Sequence, residues 1–264
     1  ENWPGDAIGL QGPDLMDRML THAKHLEANI INDHIDSVDL QQRPFILKGQ
    51  KTYSADAIII STGATARWLG IESEKTYNGK GVSACATCDG FFFKDQDVAV
   101  VGGGNTAVEE ALYLSRIAKS VTLVHRRDAL RADKTLQNRL FEKEKNGNIN
   151  IEWNAVVDEI LGNEKEVTQL RLKSTLDESL RTIDLSAVFI AIGHTPNTSL
   201  FVDQLDMKGG YLTVKSGQNE HATQTSIPGV FASGDVMDSV YRQAVTSAGT
   251  GCMAALEAEK YLSH

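Results

Sequence analysis

Residues 97–114 read D-V-A-V-V-G-G-G-N-T-A-V-E-E-A-L-Y-L. Val98–Val101 is a strand-sized apolar run, and Gly102-Gly103-Gly104-Asn105-Thr106-Ala107 continues it as G-x-G-x-x-A. The glycines permit a tight turn and a close approach of backbone to a pyrophosphate. Ala107 lets the following helix pack closely on the strand, and the helix N-terminus offers amide donors and positive dipole. A glycine motif alone also fits a plain strand–helix turn. Here a strand over 97–101, a helix over 105–118 and a second strand over 120–125 can all be read around it, so the pattern predicts a dinucleotide site at Gly102, Gly104, Asn105, Thr106 and Ala107.

The second strand selects the nucleotide. At its end, where NAD sites carry an acidic residue for the ribose 2′-OH, the chain has His125-Arg126-Arg127, with Arg131 further on. Cations there suit a 2′-phosphate, which arginine grips in bidentate fashion. A solvated basic turn is the plainer reading. Against a formal charge of -9, the clustering of cations at this address favours NADPH.

Upstream lies C-A-T-C-D-G-F-F-F, residues 85–93. A structural zinc site needs four ligands, and no second CxxC or spaced histidines complete one. A dithiol/disulfide couple remains, with a thiolate near a helix start stabilised there and Asp89 placed to donate a proton to a departing thiolate. Phe91, Phe92 and Phe93 cannot all share one face, so at least one is a candidate partner-binding anchor, beside a plain core role. Hydride from a pyridine nucleotide reaches thiols through a flavin relay. The pairing of motifs therefore predicts FAD in the flanking segments, where Ile58–Ile60 runs into Ser61-Thr62-Gly63.

The whole chain sets bounds. It has 264 residues with 41% hydrophobic and 23% charged, an ordinary globular composition large enough for two domains. Acidic residues outnumber basic ones 35 to 26, which argues against a nucleic-acid or anionic-membrane surface. No apolar run approaches membrane-spanning length. Three cysteines make no disulfide scaffold, and fit a cytoplasmic protein with one reactive pair. The remaining pattern predicts a helix over 12–25 with an apolar stripe at Leu15, Met19, His22 and Leu26. It predicts strands over 28–39, 45–47, 51–53 and 56–60, a linker over 66–82, a helical stretch over 129–145, strands through 149–192, a turn at 193–197, short strands near 211–214 and 229–235, and a closing helix over 243–261.

Taken together, the segments closely resemble bacterial thioredoxin reductases of the small two-domain type. The resemblance rests on ENWPG at the start, STGAT at 61–65, CATCDGFF at 85–92, GGGNTAVEEALYL at 102–114 and HRRD at 125–128. It continues through AIGHTPNT at 191–198, TSIPGVFASGDV at 225–236 and YRQAVTSAGTGCMAALEAE at 241–259. It implies an α/β fold of two Rossmann-like, three-layer nucleotide-binding domains. The NADPH domain, 66–193 with the CxxC, is inserted into an FAD domain formed by 1–65 and 194–264. Thr62, Gly63, Gly234 and Asp235 would lie against FAD, and Arg242, Gln243 and Ala244 beside the flavin ring. The implied activity passes electrons from NADPH through FAD to Cys85–Cys88 and on to thioredoxin. Cys88 would be the flavin-proximal thiol, Cys85 the one attacking thioredoxin, and Asp89 the acid. Phe91 and Phe92 match the region that docks the protein substrate, with Lys80 standing where some relatives have arginine. Cys252 reads as a core cysteine. Members are usually homodimers whose NADPH domain rotates about the two interdomain crossings.

One departure is that no strand and GxGxxG turn for the ADP half of FAD precedes Glu1, so the resemblance implies a missing N-terminal segment and impaired FAD binding by this chain alone. The rivals are a flavoprotein reductase of a peroxiredoxin system and a non-catalytic NADPH-binding module. Ferredoxin–NADP reductases of similar build lack the CxxC.

Overall fold

The computed structural model describes residues 3–6, 10–217 and 221–263; Glu1 and Asn2 of the opening ENWPG lie outside them. The chain divides into two compact units, Glu1–Thr65 with Thr195–His264, and Ala66–His194.

The first unit opens with α1 (Gly12–His25), started by Pro13 in its first turn and by acidic Asp14 near the positive end of the helix dipole. Of the expected stripe only Leu15 is buried; Met19 is half-buried, and His22 and Leu26 are exposed. Residues 28–36, expected to be strand, form none. They are held instead by Asp33, whose carboxylate accepts from the Tyr53 hydroxyl at 2.6 Å and from the amides of His34, Gln50 and Lys51. These bonds, the Tyr53 hydroxyl foremost, lower the Asp33 pKa to about 2. Strands β1 (Ser37–Asp39), β2 (Phe45–Lys48) and β3 (Thr52–Ala55) make an antiparallel meander. After β4 (Ile58–Ile60), β5 (Ala64–Ala66) leads out of the unit.

The second unit begins with α2 (Glu72–Thr76), where a linker was expected, and β6 (Val82–Ser83). The four-residue helix α3 (Ala86–Asp89) and a 3-10 turn (Gly90–Phe93) precede β7 (Asp97–Gly102), α4 (Asn105–Leu114), β8 (Ser120–Val124), α5 (Lys134–Asn146) and β9 (Ile149–Glu152). Then come β10 (Ala155–Gly162), β11 (Val167–Ser174), β12 (Leu180–Asp184) and β13 (Ala187–Ala191). Five strands form one parallel sheet in the order β6-β13-β7-β8-β9. Such a sheet needs cover on both faces. Val98 and Val100 point to one, packed under α4 and α5; Ala99 and Val101 point to the other, packed under the antiparallel sheet β10-β11-β12. The unit therefore has three layers, and all five residues of β13 are buried between them.

Two helices differ from their sequence-predicted bounds for local reasons. Helix α4 stops at Leu114 because the next turn tightens: Arg116 and Ile117 donate to carbonyls three residues back, and the Asn148 side chain takes the carbonyls of Ser115, Ala118 and Lys119. Helix α5 starts at Lys134, not Ala129, because residues 129–133 are engaged elsewhere. Arg131 N–H donates to Gly103 O at 2.7 Å and Asp133 N–H to the Asn105 side chain at 2.8 Å.

The chain returns through β14 (His194–Pro196), a strand paired with β5 where a turn was expected. The first unit is completed by β15 (Met207–Lys208), β16 (Tyr211–Leu212), β17 (Val230–Ala232) and α6 (Ala244–Leu262). Strand β17 lies parallel to β4. Val230 and Ala232 face a core with Phe45, Ile60 and Phe201, while Phe231 faces Ala254 and Ala258 of α6. Cys252 points the opposite way on that helix and is exposed, which corrects its reading as a core cysteine. No helix among the described residues is long and apolar enough to cross a membrane.

Phe189 is fully buried in β13 and meets the Phe93 ring edge-on at 6.0 Å. Replacing it by alanine removes an aromatic side chain from a closed layer, so Phe189→Ala is expected to destabilise the protein by about 3–5 kcal/mol. Urea unfolding followed by circular dichroism checks this, and a loss below about 1 kcal/mol would contradict the packing described.

Candidate functional site

The end of β7 is shaped by two glycines with no room for a side chain. A Cβ on Gly102 would sit 2.4 Å from Ala191 O and 2.7 Å from the Ala107 Cβ; one on Gly103 would sit 2.2 Å from the His125 ring. These contacts seat α4 on the sheet and bring its first turn over the strand ends. Gly104 is different. A Cβ there would meet nothing within 4 Å, and it caps α4 without any side-chain bond.

Beside this turn opens a cavity of about 720 Å³, lined by Gly102, Gly103, Gly104, Asn105 and Thr106 and by Val124, His125, Arg126 and Arg131. Its other walls come from Arg67–Leu69, from β10 and from Ala191–Gly193. Glu74, itself 2% exposed, holds the Arg67–Gly70 wall by accepting from the amides of Leu69 at 2.8 Å and Gly70 at 3.0 Å. The structure thus gathers most of the sequence-predicted nucleotide residues around one space. Ala107 lies behind the turn as packing, and Arg127 is exposed outside the cavity lining.

The polar groups divide into those already used and those open. His125 is buried, with Nδ1 3.0 Å from Gly102 O and Nε2 2.9 Å from Ala129 O. Its ring therefore joins the glycine turn to the arginine-bearing loop. The Asn105 amide is also engaged, donating to Asp133 Oδ2 at 2.7 Å. By contrast, Arg126, Arg127 and Arg131 form no ion pair among the described residues. An open helix N-terminus, an empty Cβ position at Gly104 and unpaired guanidiniums at the far end fit a dinucleotide bearing an extra phosphate.

Cys85 and Cys88 are joined in a disulfide, with Cα atoms 5.3 Å apart. Cys85 is fixed by Ser83, whose Oγ accepts its N–H at 3.0 Å, and Cys88 N–H donates to Cys85 O at 3.2 Å. Helix α3, which follows Cys85 and contains Cys88, packs on α4, and Glu110 of α4 accepts from Ala86 N–H at 3.4 Å. The sequence reading missed Glu110; the only signal was its place in GGGNTAVEEA, on the helix that carries the nucleotide turn. Four residues of α3 are too few for the helix-start stabilisation expected of a thiolate. Asp89 is half-buried at the end of α3. Phe93 packs into the core, while Phe91 and Phe92 are 55% and 61% exposed.

In the first unit, β4 and β17 end side by side. Ser61 and Ser233 hydroxyls lie 2.7 Å apart, and Ser233 N–H donates to Ile60 O. Gly63, at φ +70°, leaves its Cβ direction empty, while Thr62 Oγ1 donates to Asn197 O at 2.7 Å. Gly234, at φ +72°, donates its N–H to Thr250 Oγ1 of α6, and Asp235 accepts from Ser247 at 3.2 Å. Arg242, at φ +49°, precedes Gln243, which closes a capping box with Thr246 at the start of α6, and Ala244 is the first helical residue. The loop before them is gathered by Asp238. Burial works to raise its pKa, but the N–H groups of Tyr241, Arg242 and Val240 and the Arg242 charge hold it below the ordinary carboxylate range. Parallel strands ending together at a helix N-terminus provide the edge at which open α/β sheets bind nucleotides.

The sequence profile of the pyridine nucleotide-disulphide oxidoreductases matches residues 6–251, and the chain belongs to that family. Within it, the chain is 62% identical over 263 residues to the thioredoxin reductase of Vibrio cholerae, spanning 99% of this chain and 83% of that one. The solved thioredoxin reductase from Giardia duodenalis superposes with a TM-score of 0.92 at 40% identity, covering 100% of this chain and 84% of that one. A Pseudomonas fluorescens protein named glucosaminate ammonia-lyase is 57% identical over 263 residues, with 99% of this chain and 82% of that one covered.

Two outcomes test the geometry. Gly103→Ala forces a side chain into the His125 ring and is expected to weaken NADPH binding at least about tenfold, measured by calorimetry. Asp238 has a lowered folded pKa, so the stability it lends is fully present above about pH 4 and lost as pH falls through that lowered value. Wild type is therefore expected to lose more stability than Asp238→Asn between pH 5 and pH 2. Parallel acid titrations of the two would contradict the role given to this carboxylate.

Proposed function

We propose that the protein is an NADPH-dependent flavoprotein disulfide reductase that reduces thioredoxin, with the Cys85–Cys88 disulfide as its working redox couple. The observation that carries this reading is that the disulfide sits on a helix packed against α4, whose N-terminus frames the nucleotide cavity of the same unit. Both the family and the relatives named thioredoxin reductase support it.

In this reading the Ala66–His194 unit takes NADPH. The glycine turn and the α4 N-terminus receive the pyrophosphate, and Arg126 and Arg131 receive the 2′-phosphate, with Arg127 at the loop's outer side. His125 acts through its two carbonyl partners and holds that loop in register with the turn. The Glu1–Thr65 and Thr195–His264 unit takes FAD, with Thr62, Gly63, Gly234 and Asp235 at the strand ends and Arg242, Gln243 and Ala244 at the head of α6. When bound, NADPH supplies a hydride and FAD relays its two electrons.

The rest is the work of the chain. The Cys85–Cys88 disulfide takes up two electrons and two protons and opens to a dithiol. Cys85, as thiolate, attacks the thioredoxin disulfide; one substrate sulfur leaves, and Asp89 supplies its proton. Cys88 then attacks the mixed disulfide, which releases reduced thioredoxin and closes Cys85–Cys88 again. Exposed Phe91 and Phe92 give the protein substrate an apolar hold beside the disulfide. The lyase named among the relatives favours no second reading, because eliminating ammonia makes no use of a paired dithiol. A cytoplasmic homodimer completes the proposal. It is supported by the small cysteine count and by the exposed Val245, Met253 and Leu256 on α6.

The deciding experiment is NADPH-dependent reduction of a bacterial thioredoxin by the flavin-loaded protein, followed as new thiols. Cys85→Ser and Cys88→Ser are each expected to abolish turnover while NADPH still binds. The double variant Arg126→Ala/Arg131→Ala removes two charge-assisted contacts. It is expected to lower kcat/KM for NADPH by roughly a hundredfold and leave that for NADH nearly unchanged. Turnover that survives loss of either cysteine would overturn the mechanism.

A further inference from the structure

The two residues between the cysteines are placed differently. Ala86 has no exposed surface and belongs to the core that α4 covers, while Thr87 is exposed. Thr87 Oγ1 lies 3.4 Å from Cys85 Sγ. A sulfur in a disulfide carries no proton, so here the hydroxyl donates and the sulfur accepts. A thiolate can likewise only accept, and its charge makes the bond shorter and stronger. The same hydroxyl therefore serves the oxidised sulfur and, more strongly, the ionised one.

The backbone around Cys85 gives this contact its weight. Cys85 stands at the N-cap of α3, where a capping side chain ordinarily accepts from the second or third amide of the helix. Cys85 makes no such bond. The third amide, Cys88 N–H, donates to Cys85 O at 3.2 Å, and the Asp89 amide shares that carbonyl at 3.1 Å. The first, Ala86 N–H, turns to Glu110 of α4 at 3.4 Å. Two of the three amides in that turn are thus committed away from the sulfur. Ser83 Oγ accepts Cys85 N–H at 3.0 Å and holds the residue from its other side. Negative charge arriving on Cys85 Sγ meets a side-chain donor, and Thr87 supplies it.

We propose that Thr87 is a further catalytic residue, whose hydroxyl donates to the Cys85 sulfur and stabilises it as the thiolate that attacks the substrate disulfide. The proposal rests on the reading of Cys85 as the attacking thiol. In that step Cys85 gives its proton to solvent and Thr87 keeps its own. The new bond joins Cys85 to one substrate sulfur, the substrate S–S bond breaks, and the other sulfur takes the electron pair. Asp89 serves that departing sulfur, while Thr87 serves the arriving one. A hydrogen bond to the charged form favours ionisation, so loss of the hydroxyl moves the ionisation of Cys85 to higher pH.

The test follows alkylation by iodoacetamide against pH in Cys88→Ser/Cys252→Ser, where Cys85 is the one cysteine left. Into this parent go Thr87→Val, which keeps the shape without the hydroxyl, and Thr87→Ser, which keeps the hydroxyl. On the elements packed together here, the titratable groups are Asp89 on α3 and Glu109, Glu110 and Tyr113 on α4; the turn Gly90–Phe93 has none. All are the same in the three proteins, so differences report the hydroxyl. Thr87→Val is expected to raise the midpoint of the profile by about 0.5–1 pH unit. Near neutral pH it is expected to alkylate about two- to fourfold more slowly, with no fall in the plateau at high pH, because a more basic thiolate is the better nucleophile. Thr87→Ser is expected to titrate with the parent. With the cysteine pair intact, Thr87→Val is expected to lower kcat/KM for thioredoxin by a similar factor near neutral pH and to leave KM for NADPH unchanged. An unchanged midpoint in Thr87→Val, an equal displacement in Thr87→Ser, or a plateau that falls would each overturn the assignment. The titration needs no turnover, so its failure is distinct from a failure of the wild type to reduce thioredoxin, which would overturn the functional reading whatever the titration shows.

Discussion

The contact between Gly102, Ala107 and Ala191 sets the geometry of the whole Ala66–His194 unit. With no side chain possible between the end of β7, the first turn of α4 and the carbonyl of β13, the helix sits directly on the sheet. That seat determines what the helix can reach along its length. Its N-terminus opens on the nucleotide cavity, Glu110 one and a half turns on meets the first amide after Cys85, and its C-terminal end supports Gly90–Asp95. In the proposed reading, one helix positions both the site where electrons arrive and the couple that receives them.

A second constraint keeps the cavity in shape. The loop of Arg126–Arg131 has little regular structure, yet it is tied to the glycine turn by three bonds, two from His125 and one from the Arg131 amide. Asn105 and Asp133 exchange bonds that tie the starts of α4 and α5 together. The guanidiniums stay free because the loop's fixed geometry is carried by other groups. This division of labour gives the histidine beside the arginines a structural task of its own, holding two carbonyls.

Much of this was legible in the sequence, because backbone demands leave local marks. Gly102, Gly103 and Ala107 had to be small, Val98–Val101 and β13 had to be apolar throughout, and the cations had to follow β8. The α/β class, the parallel core and the gathering of Gly104, Arg126 and Arg131 follow from those marks. What escaped depends on partners distant in sequence or on single side chains acting for a ladder. Asp33 and Asp238 gather loop amides that no periodicity announces, which is how a strand was expected where Asp33 pins the chain. Glu74 and Trp68 join the cavity wall only through the fold, and Cys252 was misjudged because alanines, not the larger residues, form the buried stripe of α6.

The tryptophans have a placement with practical value. Trp68 lines the nucleotide cavity, and Trp153 meets the His125 ring edge-on at 6.1 Å, while Trp3 is the only other indole in the chain and belongs to the opposite unit. Of the three tryptophans, one therefore lines the cavity and a second packs against a residue of its wall. Occupancy of that cavity becomes readable from intrinsic emission without a label, and the protein carries its own gauge of nucleotide saturation.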